Sequence, residues 1–231
     1  MYSCKSQVKS EEGKKSVLHS EIYNLFTQLE QCTYKHSIRV YMIALEYDAL
    51  HYSDYYLSYA ALLHDIGKIW ITDRIISKPG PLSKLEREII DLHCYFGLKT
   101  LRGNDILSDI IDIVYFHHGQ TPSFIIEPRC FASDEVLEKA AVLHTIDVFE
   151  ALTADRPYRE SISIKEALDI IDQDENKSIA AYEFLRERYF LGEDAEYKFS
   201  LLDGYLGVDI KRIIDSVPQE NYVLSNIRKI V

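Results

Sequence analysis

Apolar residues recur every three to four positions through most of this chain, and this periodicity constrains its fold more than any other feature. An apolar face of helical period is present at about residues 17–29, 34–51, 54–65, 84–101, 105–118, 134–153 and 163–172. Only 9 glycines and 6 prolines interrupt the 231 residues, which favours long helices over strands and turns. The sequence therefore predicts an all-α helical bundle with additional C-terminal helices.

The pattern also predicts how the chain is divided. Residues 1–15 are polar and rich in lysine, glutamate and serine, which is typical of a flexible leader. Residues 16–175 carry the strongest helical periodicity and are predicted to form the main domain. Residues 176–231 continue as amphipathic helices, and we expect them to pack on that same domain as an extension.

Composition excludes several kinds of function. The net charge of -11 argues against a broad nucleic-acid surface, although a few local cations still permit a small phosphorylated substrate. The apolar runs are too short for a membrane span. The 4 cysteines form no Cys-x-x-Cys pair, and the first residues contain no apolar signal segment. A cytoplasmic protein with reduced cysteines is the simplest interpretation.

A His-Asp doublet is the strongest chemical signal. Residues 62–68 read Leu-Leu-His-Asp-Ile-Gly-Lys, so His64 and Asp65 stand at the polar end of an apolar helix. Imidazole nitrogen and carboxylate oxygen together suit divalent ions such as iron, manganese or zinc. Lys68 follows one turn later, where it either binds a phosphate or is a solvated lysine at the helix end. The doublet predicts a metal site.

Other candidate ligands are ambiguous one by one. His36 and His93 each resemble ordinary core histidines, and a His117–His118 pair often has one ring in the core and one in solvent. Asp147 lies among apolar neighbours, where it is either buried with a partner or exposed on a polar stripe. Their joint occurrence at the ends or inner faces of successive helices is what favours a common site.

Several strings in this order resemble the HD-GYP subfamily of the HD phosphohydrolase superfamily, bacterial phosphodiesterases of cyclic di-GMP and related cyclic dinucleotides. The matching stretches are residues 62–68, residues 75–82 (Ile-Ile-Ser-Lys-Pro-Gly-Pro-Leu), His93 with Gly97, His117–His118, residues 146–153 (Ile-Asp-Val-Phe-Glu-Ala-Leu-Thr) and residues 156–159 (Arg-Pro-Tyr-Arg). Together they cover about residues 30–175. The resemblance implies an HD-domain helical bundle.

The resemblance also implies a site with two divalent metal ions, commonly iron or manganese, with zinc, nickel or magnesium as alternatives. Two such ions would turn a bridging water into hydroxide near neutral pH. Asp65 would bridge them and be catalytic, together with Lys68, which would also bind substrate. The remaining implied ligands are His36, His64 and Asp147 for one ion, and His93, His117 and His118 for the other.

The chain departs from the subfamily pattern at several positions. After His118 the family has a glutamate, Asp-Gly and then Gly-Tyr-Pro, whereas this chain reads Gly-Gln-Thr-Pro-Ser-Phe at 119–124. This change leaves the ligands intact but bears on substrate specificity. Cys32 stands where members with three ions have a glutamate, which predicts two ions here. Glu150 replaces the second aspartate of the Asp-x-x-Asp stretch.

Three further residues have two interpretations each. Arg156 and Arg159 flank a Pro-Tyr turn and either grip substrate phosphates or pair with the neighbouring acids Asp155 and Glu160. His144 lies one turn before Asp147 and is either a hydrogen-bond partner of a ligand or a core residue.

Three functions are consistent with these residues. The first is a metal-dependent phosphodiesterase of cyclic di-GMP or a related cyclic dinucleotide. The second is a phosphohydrolase of another nucleotide or a phosphomonoester, and the third is a catalytically weak signalling or binding module. The expected small-molecule partner is a phosphorylated nucleotide, and a homodimer or a regulatory protein partner is left open.

Overall fold

The computed structural model describes residues 23–52, 54–102, 108–119, 132–155 and 160–192. The α-helices in these residues are α1 (Gln31–His51), α2 (Tyr56–Leu63), α3 (Asp73–Ile76), α4 (Lys84–Asp91), α5 (His93–Leu101), α6 (Ser108–Phe116), α7 (Asp134–Thr153), α8 (Ile164–Asp172) and α9 (Ile179–Arg186). A 3₁₀ helix spans Ile66–Trp70, and a π-helical turn spans Glu187–Leu191. The described residues contain no strand, and the predicted all-α class is confirmed.

The chain divides into two compact units. One comprises residues 29–206 and the other comprises residues 1–28 with 207–231. Of the second unit only residues 23–28 are described, and residues 23–26 are helical. The predicted leader and all of the C-terminal extension after residue 192 lie outside the described residues. The predicted domain boundaries therefore stay predictions.

Serine caps begin three of the helices where the sequence predicts a start. Ser133 Oγ accepts a hydrogen bond from the Val136 amide and begins α7, whose bounds match the predicted 134–153. Ser83 and Ser163 form capping boxes with the glutamate three residues later. These boundaries follow from hydrogen bonds within a few residues, so the local sequence is sufficient to predict them.

The predicted helix over residues 84–101 has the correct ends, but the prediction that it is continuous is wrong, because the chain breaks at Leu92 into α4 and α5. Residues of α4 are all at least partly exposed, whereas α5 buries His93, Cys94 and three further residues. The break separates a surface helix from one that packs against the 3₁₀ helix and α6. It also places His93 at the first position of α5.

Gly67 allows the 3₁₀ helix to lie directly against α5. A Cβ at this position would stand 2.0 Å from the His93 carbonyl oxygen and 2.5 Å from the Gly97 amide nitrogen. Any larger side chain would force the two elements apart. The close approach brings Asp65 and His93 together, although 28 residues separate them in the sequence.

The long helices α1 and α7 form the centre of the bundle. Helix α1 packs on α2 and α7, and α7 also contacts α6, α8 and α9. Both helices bury residues on most of their surface, as expected for helices surrounded by others. No helix in the described part of the chain combines the length and apolar character needed to cross a membrane.

Candidate metal centre

Five helices and the 3₁₀ segment bring the seven predicted ligands to one place. His36 lies on α1, His64 follows α2, His93 begins α5, and Asp147 lies on α7. His117 and His118 follow α6, and Asp65 precedes the 3₁₀ helix. All are buried except His118, which is exposed on one side yet has its ring centroid 5.0 Å from that of His93. Thus His117 and His118 differ in exposure, as one interpretation expected, and still share the cluster.

Three of the histidines are held in one tautomer by the backbone. The Nδ1 atoms of His64, His93 and His117 lie 2.7, 2.6 and 2.6 Å from the carbonyl oxygen three residues earlier. A carbonyl only accepts, so each Nδ1 carries the proton and donates. Burial lowers the pKa of all three rings, that of His93 to about 3. Each neutral ring therefore presents the Nε2 lone pair to the cluster.

The Nε2 atoms face one another in pairs. His64 Nε2 lies 3.2 Å from His36 Nε2, and His93 Nε2 lies 3.3 Å from His117 Nε2. His36 donates from Nδ1 to Glu150, so the Nε2 atom of His36 also faces the cluster. Two ligands about 2.0–2.1 Å from one ion stand about 3.0 Å apart at a right angle and about 3.4 Å apart in a tetrahedron. Both spacings fit ligands of a shared cation.

Asp65 turns its two oxygens toward different histidines. Its Oδ2 lies 3.5 Å from His64 Nε2 and 3.7 Å from His36 Nε2, while its Oδ1 lies 3.5 Å from His93 Nε2. Burial alone would raise the pKa of Asp65, but Lys68 and the neighbouring histidines hold it well below its usual value. The group is a carboxylate that can reach both halves of the cluster.

Asp147 is buried against the histidines, which settles the question of its exposure. Its Oδ1 lies 2.8 Å from His36 Nε2 and 3.8 Å from His64 Nε2. Burial acts to raise its pKa, and the hydrogen bond and charge of His36 outweigh that effect and lower it well below the usual value. With His64 and His117 it forms a further group whose ligand atoms could surround one ion.

Glu150 orients the His36 ring through Nδ1, the nitrogen that faces away from the cluster. The carboxylate accepts from His36 Nδ1 through a short contact, and Arg39 Nε lies 2.8 Å from its other oxygen. A carboxylate on the distal nitrogen of a histidine sets the ring's direction and raises its basicity toward a metal. The replacement of aspartate by glutamate at this position therefore keeps a carboxylate next to His36.

Cys94 also belongs to the cluster, and the sequence analysis did not include it. Its buried Sγ lies 3.6 Å from His93 Nε2 and 3.7 Å from His117 Nδ1. Burial raises the pKa of the thiol well above its usual value. With His93, His117 and His118 it forms a group of four potential ligand atoms. The only sequence signal was its position directly after His93.

His144 has a partner of its own. Its Nε2 lies 2.8 Å from Asp174 Oδ2, and its ring centroid lies 5.8 Å from that of His118. The residue is half-buried, so it stands at the edge of the cluster and not in the apolar core. Arg156 and Arg159, predicted to bind substrate, lie outside the described residues, as does the loop at 120–131 that replaces the Gly-Tyr-Pro segment.

Nitrogen and oxygen donors in this arrangement fit divalent ions of the first transition row. Five imidazoles and two carboxylates form the cluster, and all of them except His118 are buried. The fit rests on the opposed Nε2 atoms, because two such atoms at 3.2–3.3 Å need a shared proton or a cation between them.

The chain is similar in sequence to known proteins. Residues 23–179, about two thirds of the chain, match the family model described as HD domain. A 3'3'-cGAMP-specific phosphodiesterase of Vibrio cholerae is 32% identical over 124 residues, covering 54% of this chain and 27% of that protein. Cyclic di-GMP phosphodiesterases of Pseudomonas aeruginosa and Thermotoga maritima are 32% and 36% identical, covering 60% and 50% of this chain.

These matches confirm the resemblance to the HD-GYP subfamily that the motifs indicate. The chain spans about a third of the length of these relatives, with 34% of the Pseudomonas protein and 32% of the Thermotoga protein covered.

Proposed function

Because this chain belongs to the HD domain family, we propose that it is a metal-dependent phosphodiesterase that opens cyclic di-GMP or a related cyclic dinucleotide. The observation that carries the proposal is the two-sided position of Asp65 between two pairs of histidines whose Nε2 atoms face one another. The names of its relatives support the class of substrate.

In this proposal the ligands form two sets. His36, His64 and Asp147 would hold one ion, His93, His117 and His118 would hold the second, and Asp65 would be shared between the two sets. Iron or manganese suits these nitrogen and oxygen donors best. When bound, two neighbouring ions supply a nucleophilic hydroxide and the positive charge that a phosphodiester needs under attack.

The chain's own residues provide orientation and charge. Lys68 stands 2.7 Å from Asp65 Oδ2 and is partly exposed, so its ammonium can also meet a phosphate oxygen placed at the cluster. Glu150 holds the His36 ring in position. Arg156 and Arg159 are proposed to bind the phosphate that is not under attack.

The remaining parts of the proposal concern the surroundings of the enzyme. We place it in the cytoplasm, where cyclic dinucleotides act as signals and cysteines stay reduced. A homodimer or a regulatory protein partner is consistent with a signalling enzyme. Neither is needed for the chemistry, because every proposed ligand comes from one chain.

The test combines metal analysis with a substrate panel. The full chain is purified without air, its iron, manganese and zinc are measured, and its turnover is followed with cyclic di-GMP, 3'3'-cGAMP, mononucleotides and bis-p-nitrophenyl phosphate. We expect about two ions per chain and a linear dinucleotide as product. Preferred hydrolysis of a phosphomonoester would point to another phosphohydrolase. A chain that binds metal but cleaves no phosphodiester would contradict the proposal.

A further inference from the structure

A cavity of about 210 Å³ is lined in part by Lys68, next to the metal centre. We call it the side pocket. It is lined by Glu30, Cys32, Thr33, Lys68, Ile76, Ser77, Lys78, Gly80, Leu82 and Ile90. It lies between the first turn of α1 and the Lys-Pro-Gly segment that follows α3.

Lys68 connects the side pocket to the metal centre. Lys68 lines the cavity, and its Nζ lies 2.7 Å from Asp65 Oδ2. A phosphate bound beside Lys68 would therefore lie next to the side pocket. The sugar and base attached to that phosphate are the groups near enough to enter the pocket.

The size of the side pocket limits what it can hold. Pockets for drug-sized ligands usually measure about 300–1,000 Å³, so a cavity of about 210 Å³ suits a fragment of a cyclic dinucleotide and not the whole molecule. Ile76, Leu82 and Ile90 supply apolar surface, and Thr33 and Ser77 supply hydroxyl groups. A flat base with polar edges has this mixed character.

Among the described residues of the lining, Glu30 carries the only carboxylate. Its Oε2 accepts hydrogen bonds from the amides of Cys32 at 2.8 Å and Thr33 at 3.2 Å, which fixes the side chain at the start of α1. Within the described chain no hydrogen bond goes to its Oε1. A carboxylate held in this way presents acceptors to the cavity without having to move.

Acceptor chemistry distinguishes the bases. The Watson–Crick edge of guanine carries two adjacent N–H donors, whereas that of adenine places an acceptor beside its single amino donor. A carboxylate oxygen only accepts, so Oε1 of Glu30 can accept from the donors of guanine and repels the ring nitrogen of adenine. A base pocket with Glu30 in its wall is therefore selective for guanine.

We propose that the side pocket binds one guanine base of the substrate and that Glu30 determines this preference. The inference rests on the proposed function, because it assumes that a nucleotide phosphate lies at the metal centre. Lys68 then meets the phosphate, Glu30 meets the base edge, and the isoleucine and leucine side chains pack on the base face.

Binding without hydrolysis provides the first test. Calorimetry with the full chain, purified with its metal, compares GMP with AMP, which contain no phosphodiester to cleave. We expect GMP to bind about tenfold tighter or more, the value of a hydrogen bond to a charged group. Equal affinity for the two bases in the wild-type chain would overturn the proposal.

Substitution of Glu30 provides the second test. Glu30→Gln keeps an oxygen that can cap α1 but replaces one acceptor by a donor, so the guanine preference should fall about tenfold. Glu88→Gln is the matched control, because Glu88 lies on the exposed face of α4 and outside the pocket lining. An unchanged preference in Glu30→Gln would contradict the assignment.

Filling the cavity checks the location without altering a charge. Ile76→Trp should reduce GMP binding at least tenfold, whereas Ile75→Trp, at a neighbouring position that does not line the pocket, should leave it unchanged. Thermal melting shows that each variant is folded. Equal effects of the two substitutions would contradict binding in the side pocket.

The two proposals fail in different ways. Turnover of bis-p-nitrophenyl phosphate needs the metal centre but no base pocket. If the wild-type chain hydrolyses this compound and binds both bases equally, only the guanine assignment fails. If it binds guanine through Glu30 and hydrolyses no phosphodiester, the proposed function fails and the side pocket remains.

Discussion

Lys68 Nζ lies 2.7 Å from Oδ2 of Asp65, three positions earlier on the same turn. The carboxylate is fully buried, and the ammonium is partly exposed and lines the side pocket. This contact helps to hold the pKa of Asp65 well below its usual value, against the effect of burial. Asp65 therefore stays a carboxylate, and Lys68 is placed to contact a substrate.

Replacement of Lys68 should affect turnover more than metal binding. In Lys68→Ala we expect kcat for cyclic di-GMP to fall about 100-fold, the usual cost of losing one group that stabilises developing charge. Metal content should fall less than twofold in elemental analysis, because Lys68 ligates nothing. Lys84→Ala, at an exposed position on α4, is the control. Parallel loss of metal and turnover would mean that Lys68 only supports the site.

Removal of a proposed metal ligand should abolish activity and lower the amount of bound metal. His64→Ala and Asp65→Ala each leave an incomplete set of donors, so we expect less than half of the wild-type metal content and no measurable turnover. His51→Ala is the matched control, because His51 is exposed at the end of α1 and stacks on Tyr47. Full activity with unchanged metal in either ligand variant would rule out this centre.

Metal removal should lower the melting temperature of the wild-type chain more than that of His64→Ala, which lacks a ligand of one ion. An ion that binds only the folded state stabilises it by an amount set by its concentration and affinity. Differential scanning calorimetry with and without chelator measures the difference. Identical shifts in the two proteins would show that the ion responsible binds elsewhere.

Glu150 should tune metal affinity through His36. Glu150→Gln weakens the hydrogen bond to His36 Nδ1, and we expect metal affinity to fall about 10–100-fold, as is usual for such partners. Glu150→Asp keeps the carboxylate, so its metal affinity should fall less than that of Glu150→Gln. Glu138→Gln, on the exposed part of α7, is the control in competition titrations with a chelating dye. Equal metal affinity of Glu150→Gln and the wild type would show that Glu150 does not tune metal binding.

Asp48 should make stability depend on pH at a site remote from the metal centre. The carboxyl group is fully buried on α1, and its Oδ2 accepts from the Ser58 amide at 2.7 Å. Burial raises the pKa of Asp48 from 3.8 to about 6. The folded state therefore binds a proton more tightly than the unfolded state, and stability is lost as pH rises from about 4 through about 6.

Replacement of Asp48 isolates this contribution. Asp48→Asn has no charge to bury and keeps an acceptor for Ser58. At about pH 8 its free energy of unfolding should therefore exceed that of the wild type by up to about 3 kcal/mol. The advantage should shrink at about pH 5, where the wild-type carboxyl is largely protonated. Urea unfolding in chelator at both pH values measures it, with the exposed Asp169→Asn as control. A pH-independent difference would contradict this account.

Local sequence predicted the helices well where caps define their ends. Helix α7 begins after Ser133 and ends at Thr153, as expected, because its first hydrogen bonds involve residues only three apart. The break at Leu92 was missed. The break depends on the packing of α5 against the 3₁₀ helix, and the residues near Leu92 do not predict that contact.

The order and type of the candidate ligands could also be predicted from the sequence. The contacts that other residues make with these ligands could not. The contact of Glu150 with His36 spans 114 positions, and Cys94 joins the cluster through its distance to His117. The side pocket depends on the separation between α1 and a loop beyond α3. These features are distances between elements, which periodicity does not encode.

The amino-acid sequence by itself determined the helical class, the capped helix ends and the set of residue types able to bind divalent ions, because these follow from hydrogen bonds and side-chain chemistry within a few positions. Only the tertiary structure decided that Asp65 faces two histidine pairs and that Lys68 joins this cluster to a cavity. Those relationships arise where helices distant in the chain pack within a few ångströms, as at Gly67, and packing at that scale is a property of the whole fold.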